Sequence, residues 1–132
     1  MNYQNPLNSS NFKSNNFEMW VEDGIFHVVI LTDYVTLDIA EECVKQRMRI
    51  TQGKSYPMLS DSRKVVHFEK EARKFLALNE NVANLNAGAI LIENQLQKIL
   101  GNFFLHVNKP GVPARMFTEK EKALSWLEHF KL

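Results

Sequence analysis

The sequence predicts an α/β domain with a mostly parallel mixed sheet, an antiparallel edge hairpin and helices packed on the sheet, in the order β-β-α-β-α-β-α-β-α. Three observations carry this expectation. Two β-prone runs, Phe17–Glu22 and Ile25–Leu31, flank Asp23-Gly24, the dipeptide that most strongly marks a two-residue hairpin loop. Downstream, short apolar runs alternate with amphipathic stretches at helical spacing, the pattern of crossover-connected parallel strands. One of those runs, Ala87–Ile92, is continuously apolar, as a strand buried on both faces must be.

Each element has its own justification. A two-residue loop sets Glu22 opposite Ile25, Val21 opposite Phe26, Trp20 opposite His27 and Met19 opposite Val28. Phe17, Met19, Val21, Phe26, Val28 and Ile30 then share one face and form core, while Trp20, His27 and their neighbours form a mixed, half-covered face. A helix is expected from Thr36 as N-cap to about Thr51, with acids near its start, Lys45, Arg47 and Arg49 near its end and Gly53 just past it. Leu37, Ala40, Val44 and Met48 make its buried stripe, and the basic residues read as its solvated end. Tyr56–Asp61 reads as a short buried strand. Residues 69–85 read as an amphipathic helix broken near Asn81, and Gln95–Val107 as another, weakened at Gly101. Pro110–Pro113 forces a turn, Ala114–Phe117 is the last strand, and Thr118-Glu119-Lys120-Glu121 is a capping box for the final helix.

Composition fits one such domain. The chain has 132 residues, 45% of them hydrophobic and 23% charged, enough apolar surface for a real core. Residues 1–16, with six of the thirteen asparagines, read as a flexible arm before a single domain over 17–132. A net charge of +1 supplies no field to draw nucleic acid or an anionic membrane. The longest apolar runs are far short of the roughly 20 residues that span a bilayer, and no secretory signal opens the chain. With a single cysteine, Cys43, no intrachain disulfide can form. The expectation is a cytoplasmic protein without membrane insertion.

The opening hairpin, the run YPMLSDSRKVVHFEKEARKFL and the ending RMFTEKEKALSWLEHF resemble the sulfate transporter and anti-sigma factor antagonist (STAS) domains over residues 17–131. The resemblance implies a STAS-like fold and a non-catalytic, regulatory protein that binds another protein. In the anti-sigma factor antagonists, a strand-end Asp-Leu-Ser is followed by Asp-Ser-Ser-Gly, whose serine at the helix start accepts phosphate. On this chain the first part falls on Asp61-Ser62-Arg63 and the second on Glu69-Lys70-Glu71-Ala72, so Lys70 and Glu71 stand where the serines would be. The phosphoacceptor is missing, and partner binding is what the resemblance leaves. Its partner-facing residues would be Asp61, Ser62, Arg63, Glu69, Lys70, Glu71 and Arg73.

The same residues admit plainer readings. Asp61 or Ser62 can satisfy loop amides while Arg63 pairs with a nearby acid. Glu69 and Glu71 suit a helix N-terminus electrostatically. Trp20 and His27, on an edge strand, mark a second surface for self-association into a homodimer, unless the arm or the last helix covers them. The four histidines lie on separate elements without ligand spacing, so no metal or other cofactor is expected. Cys43, beside the helical stripe and next to Glu41 and Glu42, reads as an inert core thiol. The five glycines form no phosphate loop, and no GxSxG elbow occurs, so no enzymatic constellation is assembled. The alternative to protein binding is a small apolar-ligand or lipid-binding protein of the same fold. Phe103 and Phe104 cannot both face the core, so one of them would line its pocket or cover the sheet edge, the plainer reading being packing against the neighbouring helix. An apolar-walled pocket of sufficient volume would favour this reading, and a filled core the first.

Overall fold

A computed structural model describes residues 11–95, 97, 98, 101 and 111–131. The chain runs β1 (Asn11–Lys13), β2 (Phe17–Glu22), β3 (Ile25–Ile30), β4 (Tyr34–Val35), α1 (Leu37–Thr51), β5 (Tyr56–Asp61), β6 (His67–Phe68), α2 (Lys70–Leu76), α3 (Asn79–Val82), β7 (Leu85–Leu91), β8 (Ala114–Phe117) and α4 (Lys120–Glu128). Six strands form one sheet in the order β1-β2-β3-β5-β7-β8, and β4 and β6 form a separate two-stranded pair. The β3–β5, β5–β7 and β7–β8 pairings are parallel, and β1–β2–β3 is an antiparallel meander.

The hairpin has the expected register, from Glu22 opposite Ile25 to Phe17 opposite Ile30. Asp23 (φ 54°) and Gly24 (φ 76°) both take left-handed backbone, as a turn matched to the twist of its strands requires. The arm expected over residues 1–16 needs correction, because Asn11–Lys13 pair with Trp20–Glu18 as β1. β2 is therefore flanked on both sides, and the sheet edge expected at Trp20 belongs to β1. Residues 1–10 lie outside the described residues.

Two helical layers close the sheet. On one face, Phe17, Met19, Phe26 and Val28 pack with Ile50 of α1, and α2 joins α1 through Ala40, Ala72 and Val35. On the other, α4 lays Ala123 and Leu127 on Leu59, Ala87, Ala89 and Leu91. The alanines of β7 let this helix approach closely, and its Trp126 meets Phe117 and Phe130 in tilted ring contacts.

The ends of α1 follow the sequence. Thr36 caps it by accepting a hydrogen bond from the Ile39 N–H at 3.3 Å, and Gln52 and Gly53 leave it in left-handed backbone. The capping box of the last helix does not form. The Phe117 carbonyl is held by the Ile92 N–H, and backbone remains extended through Glu119, which caps α4 without a side-chain bond. The expected helix over residues 69–85 is divided into α2 and α3, with Leu78 extended between them. The helix expected over Gln95–Val107, with Phe103 and Phe104, lies largely outside the described residues. Gly101 is described, and a Cβ there would meet the flexible end of the Met116 side chain, which would have to shift.

His27 is buried beneath Trp20, whose ring stacks on it at 5.0 Å and 5°. Trp20 is itself held by a bond from its indole N–H to Glu22. Burial lowers the His27 pKa below 6.5, aided by Lys120 and opposed by Glu22. The unfolded chain then takes up a proton more readily, so the stability contributed by neutral His27 is complete above about pH 6.5 and declines as pH falls through the folded value. Thermal unfolding between pH 8 and pH 5 is expected to show this loss, and His27→Gln to flatten it. Equal slopes for the two proteins would show that His27 is not its source.

Candidate functional site

The carboxyl end of β5 and the chain after it make two surfaces, one facing out and one facing in. Asp61 ends β5, and its carboxylate accepts from Arg63 Nη2 and Nε, at 2.7 and 3.0 Å, and from the Arg63 backbone N–H at 3.2 Å. Burial pushes the Asp61 pKa up, but the hydrogen bonds and charge of Arg63 outweigh it and hold the carboxyl below its ordinary value. The pair is exposed on its Arg63 side, so it orders the loop without adding much stability.

Beyond it, β4 and β6 pair Tyr34 with His67 and Val35 with Phe68. The rings of Tyr34 and His67 lie 5.0 Å apart. Val66, whose N–H binds the Asp33 carbonyl at 2.7 Å, is 82% exposed, and Tyr34 is 47% exposed. Arg63, Lys64, Lys70 and Glu71 are also exposed along this segment. The outward surface is thus an aromatic and aliphatic patch accompanied by charges of both signs.

Other members of the expected partner surface point elsewhere. Ser62 is buried, with its Oγ 3.2 Å from that of Ser60 and its N–H on the Leu91 carbonyl. Glu69 is engaged in the fold: its carboxylate accepts from the Leu37 N–H at the start of α1. Arg73 is half-buried and donates to the Phe68 carbonyl at 3.0 Å. Of the seven residues, Lys70, Glu71 and the Asp61-paired Arg63 are exposed, and Ser62 and Arg73 line a cavity.

That cavity, about 230 Å³, lies between the sheet and the layer of α1, α2 and α3. Its walls are mainly apolar, including Val28, Met58, Ile90 and Met116 from the sheet. Among the described residues, the polar groups in it are Ser60, Ser62, Asn81, Arg47 and Arg73. Arg47 corrects the reading of α1's basic end as solvated. It is 4% exposed and donates to Asn84 Oδ1 at 2.6 Å and to the Asn81 carbonyl. Burial lowers its pKa. The signal was available in the spacing, since Ala40, Val44, Arg47 and Thr51 recur at helical intervals and are all buried. Cys43 also lines the cavity, and burial, with Glu42 adding to it against Arg47, pushes its thiol up to about 12.

Residues 19–131 match the family described as a domain of unknown function, DUF7793. The chain belongs to this family. No curated protein matches the sequence. Among solved structures, the DUF7793 chain is similar to an uncharacterised DUF3478-family protein with a SpoIIAA-like fold from Shewanella loihica PV-4. The TM-score is 0.64 at 16% identity, covering 88% of this chain and 98% of the other. The fold of the DUF7793 chain is therefore SpoIIAA-like, the STAS-like architecture expected from its element order. Among its described residues no group of three metal-ligating side chains occurs, and no helix is long and apolar enough to cross a membrane.

Proposed function

We propose that this protein is a non-catalytic regulatory domain of the cytoplasm that works by binding another protein through the outward surface at the carboxyl end of β5. The observation that carries this is the exposure of Val66 and Tyr34, in a region whose chain from Arg63 to Glu71 also exposes Arg63, Lys70 and Glu71. Apolar and aromatic side chains left in solvent among charged ones have the composition of a docking patch. The resemblance to anti-sigma factor antagonists supports the same surface. With Lys70 and Glu71 at the start of α2, control by phosphorylation there is replaced by fixed charge.

The test uses proximity cross-linking in the native cell, followed by affinity measurement with the recovered partner. Two exposed variants serve: Val66→Asp, and Lys70→Glu with Glu71→Lys. Each is expected to weaken the partner's affinity by about tenfold or more, as loss of a central contact does, with the melting temperature nearly unchanged. Affinity unchanged in both variants would overturn the proposal.

A further inference from the structure

The cavity carries a reading of its own, independent of partner docking. Its described lining contains two guanidinium groups, Arg47 and Arg73, and no carboxylate. Among the described residues, the hydrogen-bond partners of Arg47 are an amide oxygen and a backbone carbonyl, both neutral. A cation removed from water and satisfied by neutral dipoles keeps its positive field in a medium of low dielectric. An anion entering that space would gain ion-paired hydrogen bonds, whereas a neutral guest would gain hydrogen bonds without ion pairing and a cationic one would be repelled. The remaining wall asks for something different, because Val28, Met58, Ile90 and Met116 offer only dispersion and burial to a guest.

We propose that the cavity binds a small amphipathic monocarboxylate, its carboxylate paired with the wall guanidinium groups and its alkyl body lying along the sheet. Volume sets the size. At roughly 30 Å³ for each water's share of liquid, about 230 Å³ admits roughly eight such volumes, matching a guest of about eight to ten non-hydrogen atoms. A straight-chain carboxylate of about eight carbons meets this limit. A free phosphate would leave the apolar wall unused, and a long-chain fatty acid would exceed the space.

Isothermal titration of the whole protein, without any partner, tests this with three probes of equal length: octanoate, 1-octanol and octylamine. Octanoate is expected to saturate one site per chain and to bind at least about tenfold tighter than 1-octanol, the advantage of a charged hydrogen-bonded group. Octylamine is expected to bind more weakly still. Carboxylates of four to fourteen carbons should show affinity peaking near eight. Arg47→Met and Arg73→Met, each checked for native circular dichroism, are then compared for preference between octanoate and 1-octanol. A fall of that preference to near unity in at least one of them is expected. The proposal is overturned if octanoate shows no saturable site, if affinity rises steadily with chain length as surface adsorption does, or if both variants keep the wild-type preference. Because no partner is present, failure here leaves the docking surface untouched, and failure of docking leaves this measurement standing.

Discussion

Leu127→Ala is expected to lower stability by about 2–5 kcal/mol, because it removes the side chain that seats α4 on the sheet. Leu127 has no exposed surface and lies in one cluster with Leu59, Ala87, Ala89 and Leu91. The strand opposite it presents Ala87 and Ala89, which cannot extend to fill the space, so most of the cavity would persist. Chemical denaturation should show a fall in the midpoint with little change of slope, and the melting temperature should drop by roughly 10 °C. Lys122→Ala, on the exposed side of the same helix, should stay within about 0.5 kcal/mol of wild type. A loss below about 1 kcal/mol at Leu127 would mean that α4 is not held by this contact.

The second large effect belongs to Asn84. Its side-chain oxygen accepts from Arg47 at 2.6 Å, and its amide donates to Thr51 Oγ1 at 2.9 Å, joining both ends of a half-buried polar group to α1. Asn84→Ala leaves a buried guanidinium short of an acceptor, at an expected cost of about 1.5–3 kcal/mol. Asn84→Asp keeps the acceptor, and the Thr51 hydroxyl can turn to donate, so this variant should lose much less at neutral pH. The pair of variants separates the hydrogen bond from simple packing, since Asp matches Asn in shape. Equal losses in the two would assign the effect to the amide donor instead.

Much of the frame was legible because local chemistry and tertiary packing agree there. Asp23-Gly24 fixes the hairpin register, Thr36 starts α1, and β5 and β8 have the bounds their apolar runs imply. What stayed hidden depends on distant partners. β1 is three residues from an asparagine-rich stretch, and only the backbone of β2 makes it a strand. β4 and β6 are two residues each, too short to show any period. The inward turn of Ser62 and Arg73 was not readable either, because polar residue type points to solvent while the strand end and helix face point them into the cavity. Arg47 is the reverse case: its spacing on α1 was informative and its charge was misleading.

The short β1 matters also for what the protein avoids. Among the described residues, the sheet's outer strands are β1, of three residues, and β8, of four, and each exposes a cation, Lys13 and Arg115. A rim so brief and charged offers another chain few backbone groups to zip onto, and a growing stack would have to bring like charges together. The more apolar strands β3, β5 and β7 sit behind that rim, their backbone groups already paired on both sides. Resistance to aggregation in the crowded cell is thus built into the two least conspicuous strands of the sheet.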